Sequence, residues 1–489
     1  MSDPLSKAAT ATEIAGAVMS GRVKAAAVID ATLKRIEAAE PTINAFTDVV
    51  AARARKRAAE IDAGLHRGPL IGVPFAVKNL FDIAGLPTRA GSKINVDGPK
   101  AERDGALVRK LEAAGAILVG GLNMGEYAYD FTGENAHYGP SRNPHDPTRM
   151  SGGSSGGSGA AVAAGLAPLA IGTETDGSIT CPAAINGLVG LKPTVGLVSR
   201  THIVPISHSQ DTAGPMTLTV EDAAKVLTII AGSDPADPAT KEADARKTDY
   251  AASLSKTALK GVKLAVARFY TGYSPKTDSV FERALKDLEA QGATLVDVKD
   301  FDESPIGKAE GVVLYTELKA DMAAYLASTD PKKVPSRTLA DLIAFNKTTP
   351  KEFEWFGQES FERAEKTKGL EDPEYLKALA DSKRLAGPEG IDKILKETGA
   401  VAIIAPTTGP AWTIDPLNGD NYGGSSTTLP AVAGYPHLTV PMGQVTGLPV
   451  GLSFIGPAWS EKLLLNLGYA YEQATMKRKA PTFLKTIAP

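Results

Sequence analysis

The sequence predicts an α/β fold, in which a sheet of buried strands carries helices on its faces. The first observation is the apolar run from Leu70 to Val77, which is short, nearly continuous and rich in β-branched residues, as expected of a strand buried on both faces. The second is the alternation of such runs with segments of helical periodicity. A chain of 489 residues is long enough to build a large core around this sheet.

The elements follow in order from these two patterns. Helical periodicity marks residues 10–40, where Pro41 ends the pattern, and then residues 50–63, 106–114, 158–164, 280–291 and 463–474. Strand patterns mark residues 70–77, 116–120, 169–172, 262–266, 294–298, 400–405, 438–441 and 450–455. Residues 329–398 are charged and mostly helical, and we interpret them as an insertion that walls the active site. Residues 233–245, rich in Asp, Ala and Pro, are interpreted as a surface excursion.

Composition excludes several classes of protein. With 43% hydrophobic and 22% charged residues the chain is predicted to fold, and a net charge of −3 without a dense Lys/Arg cluster argues against a nucleic-acid partner. The first residues do not resemble a secretion signal and no apolar run reaches about 18 residues, so we expect a soluble, cytoplasmic protein with no membrane contact. The single cysteine, Cys181, excludes an intramolecular disulfide, and the six histidines show no metal-ligand spacing, so no metal is expected.

A loop rich in glycine and serine, residues 151–157, leaves several interpretations open. Gly152 to Gly156 formally matches the G-x-S-x-G elbow of α/β-hydrolases, but the residues before it do not form a buried strand. The loop also lacks the lysine of a phosphate-binding P-loop. A flexible linker rarely lies between a buried strand and a buried helix, so this glycine density indicates unusual backbone angles or a close approach of two chain segments.

Ser178 and Lys78 both follow predicted buried strands. Ser178 comes after strand 169–172 through a turn, at the strand end where open α/β sheets place ligands. A serine needs a base to become a nucleophile, and no histidine has a recognisable context for that role. Lys78 can supply one, because burial disfavours its ammonium form and lowers its pKa. Alone, Lys78 is better explained as a structural lysine at a strand end, and only its combination with Ser154 and Ser178 favours the role of a base.

Three motifs together resemble the amidase signature family of serine hydrolases. They are residues 72–78 ending in Lys78, residues 152–158 around Ser154, and residues 172–179 around Ser178, continued through 182–183 to 190–194. The similarity covers nearly the whole chain. It implies a large mixed twisted sheet covered by helices on both faces, in a single domain spanning residues 1–489. The catalytic core would lie at about residues 65–215, and a helical substrate-mouth region at about residues 300–400.

The resemblance also implies a catalytic triad that uses no cofactor. Ser178 would be the nucleophile, Ser154 a bridging proton shuttle that follows a cis peptide bond, and Lys78 the base. The oxyanion hole would be formed by main-chain N–H groups of Thr175, Asp176, Gly177 and Ser178. An acyl-enzyme at Ser178 would then be hydrolysed by water.

The chain departs from the family pattern beside the nucleophile. Members acting on small acidic substrates often carry an arginine where this chain has Thr180, so a carboxylate substrate would lack its bidentate partner. Asp176 and Asn79 stand where many members have glycine and aspartate. The positions of Tyr129 and Phe131 contact substrate in the family, which predicts an acyl or aryl pocket, although both rings are equally consistent with core packing. We interpret Cys181 as a small buried side chain that fills space in the core.

Four segments look like bacterial peptide amidases, which remove the C-terminal amide of peptides: residues 173–182, 204–212, 339–346 and 384–392. We therefore expect a peptide or small-molecule amide as substrate, and a monomer or homodimer. An aryl acylamidase, or another hydrolase of small amides, is one alternative. A subunit of the glutamyl-tRNA amidotransferase type, working with partner chains, is another. The intact triad argues against an inactive binding protein of the same fold.

Overall fold

A computed structural model describes residues 3–92, 99–130, 132–354 and 356–486. Its centre is a sheet built from most of the described strands. These are β1 (Phe46–Val49), β2 (Pro74–Lys78), β3 (Ile117–Leu122), β4 (Arg142–Asn143), β5 (Asp146–Met150), β6 (Leu169–Glu174), β7 (Val189–Lys192), β8 (Thr212–Thr217), β9 (Lys263–Ala267), β10 (Thr294–Val298), β11 (Ala402–Pro406), β12 (His437–Val445) and β13 (Leu448–Ile455).

The sheet is mixed and has eleven strands in the order β1-β3-β2-β6-β8-β7-β12-β13-β11-β9-β10, while β4 and β5 pair separately. Two blocks are parallel, β3-β2-β6 and β11-β9-β10. Their connection through β8, β7, β12 and β13 is antiparallel throughout, and so is the edge pair of β1 and β3. The predicted α/β class with a large mixed sheet is confirmed.

Helices cover the sheet. Among the described residues the α-helices are α1 (Ala11–Met19), α2 (Ala25–Ile43), α3 (Ala51–Asp62), α4 (Ala106–Ala113), α5 (Gly156–Ala163), α6 (Thr180–Ile185), α7 (Val220–Ile230), α8 (Ala243–Arg246), α9 (Pro275–Ala290), α10 (Ser304–Ala327), α11 (Leu339–Lys347), α12 (Glu359–Glu365), α13 (Pro373–Ala386), α14 (Asp392–Thr398), α15 (Thr428–Ala433) and α16 (Glu461–Thr475).

Strand β2 shows that both faces of the sheet are buried. All five of its residues are buried. Phe75 and Val77 belong to one apolar core, whereas Ala76 belongs to another that includes residues of α2, α3 and α5. Because side chains alternate along a strand, Lys78 lies on the same face as Ala76. This register directs Lys78 towards the glycine-rich loop before α5.

Two predicted boundaries differ from the structure. The strand predicted over residues 70–77 begins only at Pro74, because Gly72 has φ of +73° and belongs to a turn. Pro41 does not end the first helical pattern. Helix α2 continues to Ile43 and ends where Asn44 adopts a φ of 54°, with Pro41 inside its last turn. A proline there removes only one hydrogen bond, and the buried Ile43 still packs against the core.

The central strands β7 and β8 have no counterpart in the sequence prediction. Strand β8 contains Gly214 and Pro215, residues that interrupt a strand pattern. A side chain at Gly214 would place its Cβ 2.0 Å from the carbonyl oxygen of Leu191, so glycine is needed where β7 and β8 approach. The helical character predicted for residues 300–400 is confirmed by α10 to α14.

A substitution at Gly157 can test how closely the glycine-rich loop packs on neighbouring segments. A Cβ there would lie 2.5 Å from the carbonyl oxygens of Ala45 and Asn123. We expect Gly157→Ala to lower the free energy of unfolding by about 1–3 kcal/mol, because main-chain atoms cannot move aside easily. Chemical denaturation followed by circular dichroism measures this change.

Gly16→Ala is the matched control, since Gly16 also lies in a helix but has no atom within 4 Å of the added Cβ. It should raise stability by about 0.5–1 kcal/mol. Equal stability of the two variants would contradict the close approach at Gly157.

Candidate active site

Lys78 ends β2 with its side chain fully buried. Its Nζ lies 2.6 Å from Oγ of Ser154 and 3.0 Å from Oγ1 of Thr173. Burial lowers the pKa of Lys78 to about 7, although the nearby carboxylates of Asp130, Asp211 and Glu174 act in the opposite direction. A large fraction of the amine is therefore uncharged near neutral pH. In that form it can donate to Thr173 and accept a proton from Ser154.

The glycine-rich loop places Ser154 against this amine. The Gly153–Ser154 peptide bond is cis, as the family resemblance implies, and Ser154 is fully buried. The carbonyl oxygen of Ser154 accepts a hydrogen bond from the N–H of Gly125 at 3.0 Å. Gly152 has φ of +78°, and a Cβ there would lie 2.7 Å from Cα of Pro182, so the loop packs directly on α6. Close approach to other segments thus explains the glycine density.

Ser178 lies in the turn between β6 and α6. Its residue is 5% exposed, and its hydroxyl makes no hydrogen bond with any residue that the structure describes. The turn is held by the buried carboxylate of Glu174, which accepts from the N–H groups of Ile179 and Thr180, both at 2.8 Å. Because β2 and β6 are adjacent parallel strands, Lys78 and this turn lie at the same edge of the sheet.

The turn exposes main-chain donors beside Ser178. Within the described part of the chain, nothing accepts a hydrogen bond from the N–H groups of Asp176, Gly177 or Ser178. Gly177 has φ of +82°, a conformation that favours glycine. Thr175 anchors the start of the turn through a 2.5 Å hydrogen bond from its hydroxyl to Asp211. Free N–H groups in a fixed turn are the arrangement that stabilises an oxyanion.

Asp176, one of the predicted oxyanion-hole residues, is partly buried. Its Oδ2 accepts from the hydroxyl of Thr428 at 2.8 Å. Burial raises the pKa of Asp176 to about 6, and the carboxylate of Glu174 adds to this effect. The side chain therefore ties the turn to α15, whereas its main chain faces the site.

The three predicted substrate-lining residues occupy different environments. Tyr129 is partly buried, lines a cavity of about 320 Å³ and stacks on Tyr315 with ring centroids 6.0 Å apart. Thr180 is fully buried, and its hydroxyl donates to Glu174 at 3.1 Å, so this side chain supports the turn from behind. Phe131 lies outside the described residues. Contact of these three residues with substrate stays a prediction.

The turn is also held by residues outside the three motifs, which the sequence did not predict. Asp211 accepts from the N–H groups of Ile206 and Ser207, at 2.8 and 2.9 Å, in addition to Thr175. Gln210 donates to the carbonyl oxygen of Thr175 at 3.3 Å and to Glu310 of α10 at 2.8 Å. Asp211 lies in a segment that resembles peptide amidases in sequence. Glu310 lies in no such segment.

One group of potential metal ligands occurs among the described residues, formed by His208, Glu317 and Asp321. His208 Nδ1 lies 2.9 Å from Asp321, and Glu317 accepts from the N–H of Ser209 at 3.0 Å. These contacts fasten the loop before β8 to α10. Cys181 is fully buried, and burial raises the pKa of its thiol, which fits its interpretation as a filler.

Comparisons with known proteins agree over nearly the whole chain. A family model described as Amidase matches residues 27–465. The crystal structure of native peptide amidase from Stenotrophomonas maltophilia is 44% identical with a TM-score of 0.90, covering 97% of this chain and 98% of that one. A 1-carboxybiuret hydrolase subunit from Pseudomonas sp. (strain ADP) is 36% identical, covering 95% of this chain and 98% of the relative. A glutamyl-tRNA(Gln) amidotransferase subunit from Halorhodospira halophila is also 36% identical, over 95% and 97%.

The mixed sheet and these matches define the class of protein as an enzyme that hydrolyses amide bonds. The chain belongs to the amidase signature family. The resemblance drawn from the three sequence motifs is thereby confirmed. In the described part of the chain, no helix combines the length and apolar character needed to cross a membrane.

The pKa of Lys78 gives a testable pH dependence. As the base that the family resemblance implies, Lys78 would act in its unprotonated form, so kcat/KM for an uncharged amide should fall about tenfold per pH unit below about 7 and level off above it. Initial rates between pH 5 and 9 in buffers of constant ionic strength measure the profile. A rate that still rises tenfold per pH unit up to pH 9, with no plateau, would show that Lys78 keeps the pKa of an exposed lysine.

Proposed function

We propose that this chain is a cofactor-free serine amidase that hydrolyses a neutral carboxylic amide to the acid and ammonia or an amine. The substrate is a C-terminal peptide amide or a related small amide, and the reaction passes through an acyl-enzyme at Ser178. The observation that carries the proposal is the 2.6 Å contact between the buried Lys78 amine and Ser154, beside a turn that presents the Ser178 hydroxyl without a partner among the described residues.

The first half of the reaction forms the acyl-enzyme. Oγ of Ser178 attacks the amide carbon while its proton passes to Ser154, and the Ser154 proton passes to the neutral amine of Lys78. The N–H groups of Asp176, Gly177 and Ser178 stabilise the oxyanion, a contribution of roughly 3–4 kcal/mol per donor in comparable enzymes. The proton then returns through Ser154 to the leaving nitrogen, and the carbon–nitrogen bond breaks.

The second half releases the acid. Water attacks the ester carbon, and its proton passes through Ser154 to Lys78 as the second oxyanion forms. The bond between carbon and Oγ of Ser178 then breaks, and Ser178 recovers its proton from the same relay. Lys78 ends the cycle neutral, so each turnover consumes one amide and one water.

Two observations favour a neutral amide as the substrate: the side chain of Thr180, two residues after Ser178, and the similarity to a peptide amidase. Thr180 provides no cation for a substrate carboxylate, and its hydroxyl is already bonded to Glu174. The solved structure at 44% identity is a peptide amidase. Helices α10 to α14 occupy the region where the sequence segments 339–346 and 384–392 resemble the same enzymes. We assign to this region the wall of the substrate mouth.

A second candidate function is a role within an amidotransferase complex, because a glutamyl-tRNA(Gln) amidotransferase subunit matches 95% of the chain. The two functions differ in what the purified chain does alone. A peptide amidase, as a monomer or homodimer, releases ammonia from peptide amides without partners. A glutaminase that is active only after co-purification with other subunits would favour the second candidate.

The triad predicts non-additive losses. We expect Lys78→Ala, Ser154→Ala and Ser178→Ala each to lower kcat/KM by at least about 10³-fold, and the triple variant to be about as impaired as any single one, because the three groups move one proton. Steady-state ammonia release measures these values, and circular dichroism checks folding.

Ser158→Ala is the matched control for these variants. Ser158 lies in the same motif, is buried, and its hydroxyl has no hydrogen-bond partner among the described residues. It should keep near-parental activity. A folded and fully active Lys78→Ala protein would exclude the proposed mechanism.

The substrate class is tested with a panel of peptide amides, anilides, fatty amides and glutamine. We expect the highest kcat/KM for peptide amides. A fluorophosphonate should label the parent covalently but should not label Ser178→Ala. Preference for anilides would identify an aryl acylamidase instead. Labelling at another serine would contradict the role of Ser178.

A further inference from the structure

A cavity of about 320 Å³ is lined by many carboxyl groups, and one of them, Asp130, acts electrostatically on Lys78. We call it the acidic cavity and define it by Glu126, Asp130, Glu134, Glu352, Asp415 and Asp420. None of the described residues that line it is a lysine, arginine or histidine. A cavity with charges of one sign attracts ligands of the opposite sign.

The wall of the acidic cavity is also the support of the proposed triad. The N–H of Gly125 donates to the carbonyl oxygen of Ser154, and the N–H of Glu126 donates to the carbonyl oxygen of Glu134, both at 3.0 Å. The charge of Asp130 acts on Lys78 and raises its pKa. These contacts connect the cavity wall to the loop of Ser154 and bring Asp130 within electrostatic range of Lys78.

Burial and mutual repulsion favour the protonated form of two carboxyl groups of the cavity. Burial raises the pKa of Glu126 to about 9, and the charges of Glu352 and Asp130 add to the shift. Burial, followed by the charges of Asp420 and Asp130, raises the pKa of Glu134 to about 7. A bound cation favours the ionised form of each group and so offsets both effects.

Asn346 supplies an independent indication of a ligand. It is 4% exposed and lines the acidic cavity, yet its side-chain amide forms no hydrogen bond with any described residue. Buried amides are almost always hydrogen-bonded in folded proteins. An amide at a cavity wall that has no partner among the described residues is available to a polar group of the ligand.

Aromatic rings complete the lining. Tyr129 is fixed by stacking on Tyr315, and Phe361 packs edge-on against Tyr127 with centroids 5.2 Å apart. Aromatic faces attract ammonium groups and also accommodate the aliphatic carbons next to them. The lining thus combines negative charge, an available amide and apolar surface, which match a short peptide with a positive charge.

We infer that the acidic cavity binds a primary ammonium group of the substrate, so that amides carrying such a group are preferred over their uncharged analogues. The inference rests on the proposed function, because it extends the same substrate away from Ser178. Two parts of a peptide amide can supply the ammonium: the free N-terminus and a lysine side chain.

Two pairs of substrates separate these sources. The first compares alanyl-leucinamide with its N-acetyl form, and the second compares N-acetyl-lysyl-leucinamide with N-acetyl-norleucyl-leucinamide. We expect the charged member of at least one pair to have a KM lower by about tenfold, with kcat little changed. The pair that responds identifies the source. Equal KM values within both pairs overturn the inference.

Two conservative variants test the cavity itself. Glu134→Gln and Asp420→Asn each replace one ionisable carboxyl group by an amide of the same shape. Asp420→Asn retains an acceptor for the indole N–H of Trp412, whose nitrogen lies 2.8 Å from Oδ1 of Asp420. Each should raise the KM for the charged substrate several-fold and leave the KM for its uncharged analogue unchanged or lower. Glu289→Gln, an exposed charge on α9, is the control and should match the parent.

Binding to Ser178→Ala separates the two proposals. Isothermal titration calorimetry on this variant should give a Kd about tenfold lower for the charged member of the responding pair. Hydrolysis of both members with equal KM and equal Kd would keep the proposed function and reject the acidic-cavity inference. Tighter binding of the charged member by Ser178→Ala, with no hydrolysis of either member by the parent, would support binding in the acidic cavity and reject the proposed function.

Discussion

The burial of the Lys78 amine is the constraint on which the rest of the site depends. An ammonium at the end of a buried strand loses its hydration, and this loss lowers the pKa of Lys78 to about 7. Three neighbouring carboxylates limit the shift. The amine needs polar partners in this dry environment, and it finds them in Ser154 and Thr173. The loop and strand that carry these hydroxyls must therefore meet at the end of β2.

Buried carboxylates give the site both its electrostatics and its shape. Glu174 accepts the first two N–H groups after the turn, and Asp211 holds Thr175 at its start. The two carboxylates thus satisfy the hydrogen-bond donors on either side of the turn. The N–H groups between those donors have no acceptor in the described part of the chain and can bind an oxyanion. The same negative charges oppose the fall in the pKa of Lys78. The geometry of the turn and the proton affinity of Lys78 are consequently set by the same side chains.

Polar contacts also join this turn to the helices that follow β10. Gln210 bridges the carbonyl oxygen of Thr175 and Glu310 of α10, and Glu317 on the same helix accepts from Ser209. The segment that shapes the proposed substrate mouth is thereby fastened to the segment that shapes the proposed oxyanion hole. On the other side, Gly125 contacts Ser154, and its neighbour Glu126 lines the acidic cavity. A substrate bound between these walls would meet neutral hydroxyls at one end and carboxyl groups at the other.

The sequence by itself determined the fold class and the family, because local patterns carry that information: apolar runs mark strands, and glycines mark tight turns. It also predicted Lys78, Ser154 and Ser178 as the catalytic residues. It also placed Asp211 within a characteristic segment. It did not determine β7 and β8, whose strand character comes from pairing across the sheet rather than from their own residues. Only the tertiary structure brought Glu310 to Gln210 and gathered the acidic cavity from residues between 126 and 420. Contacts between distant segments depend on how whole elements pack, which no local pattern records.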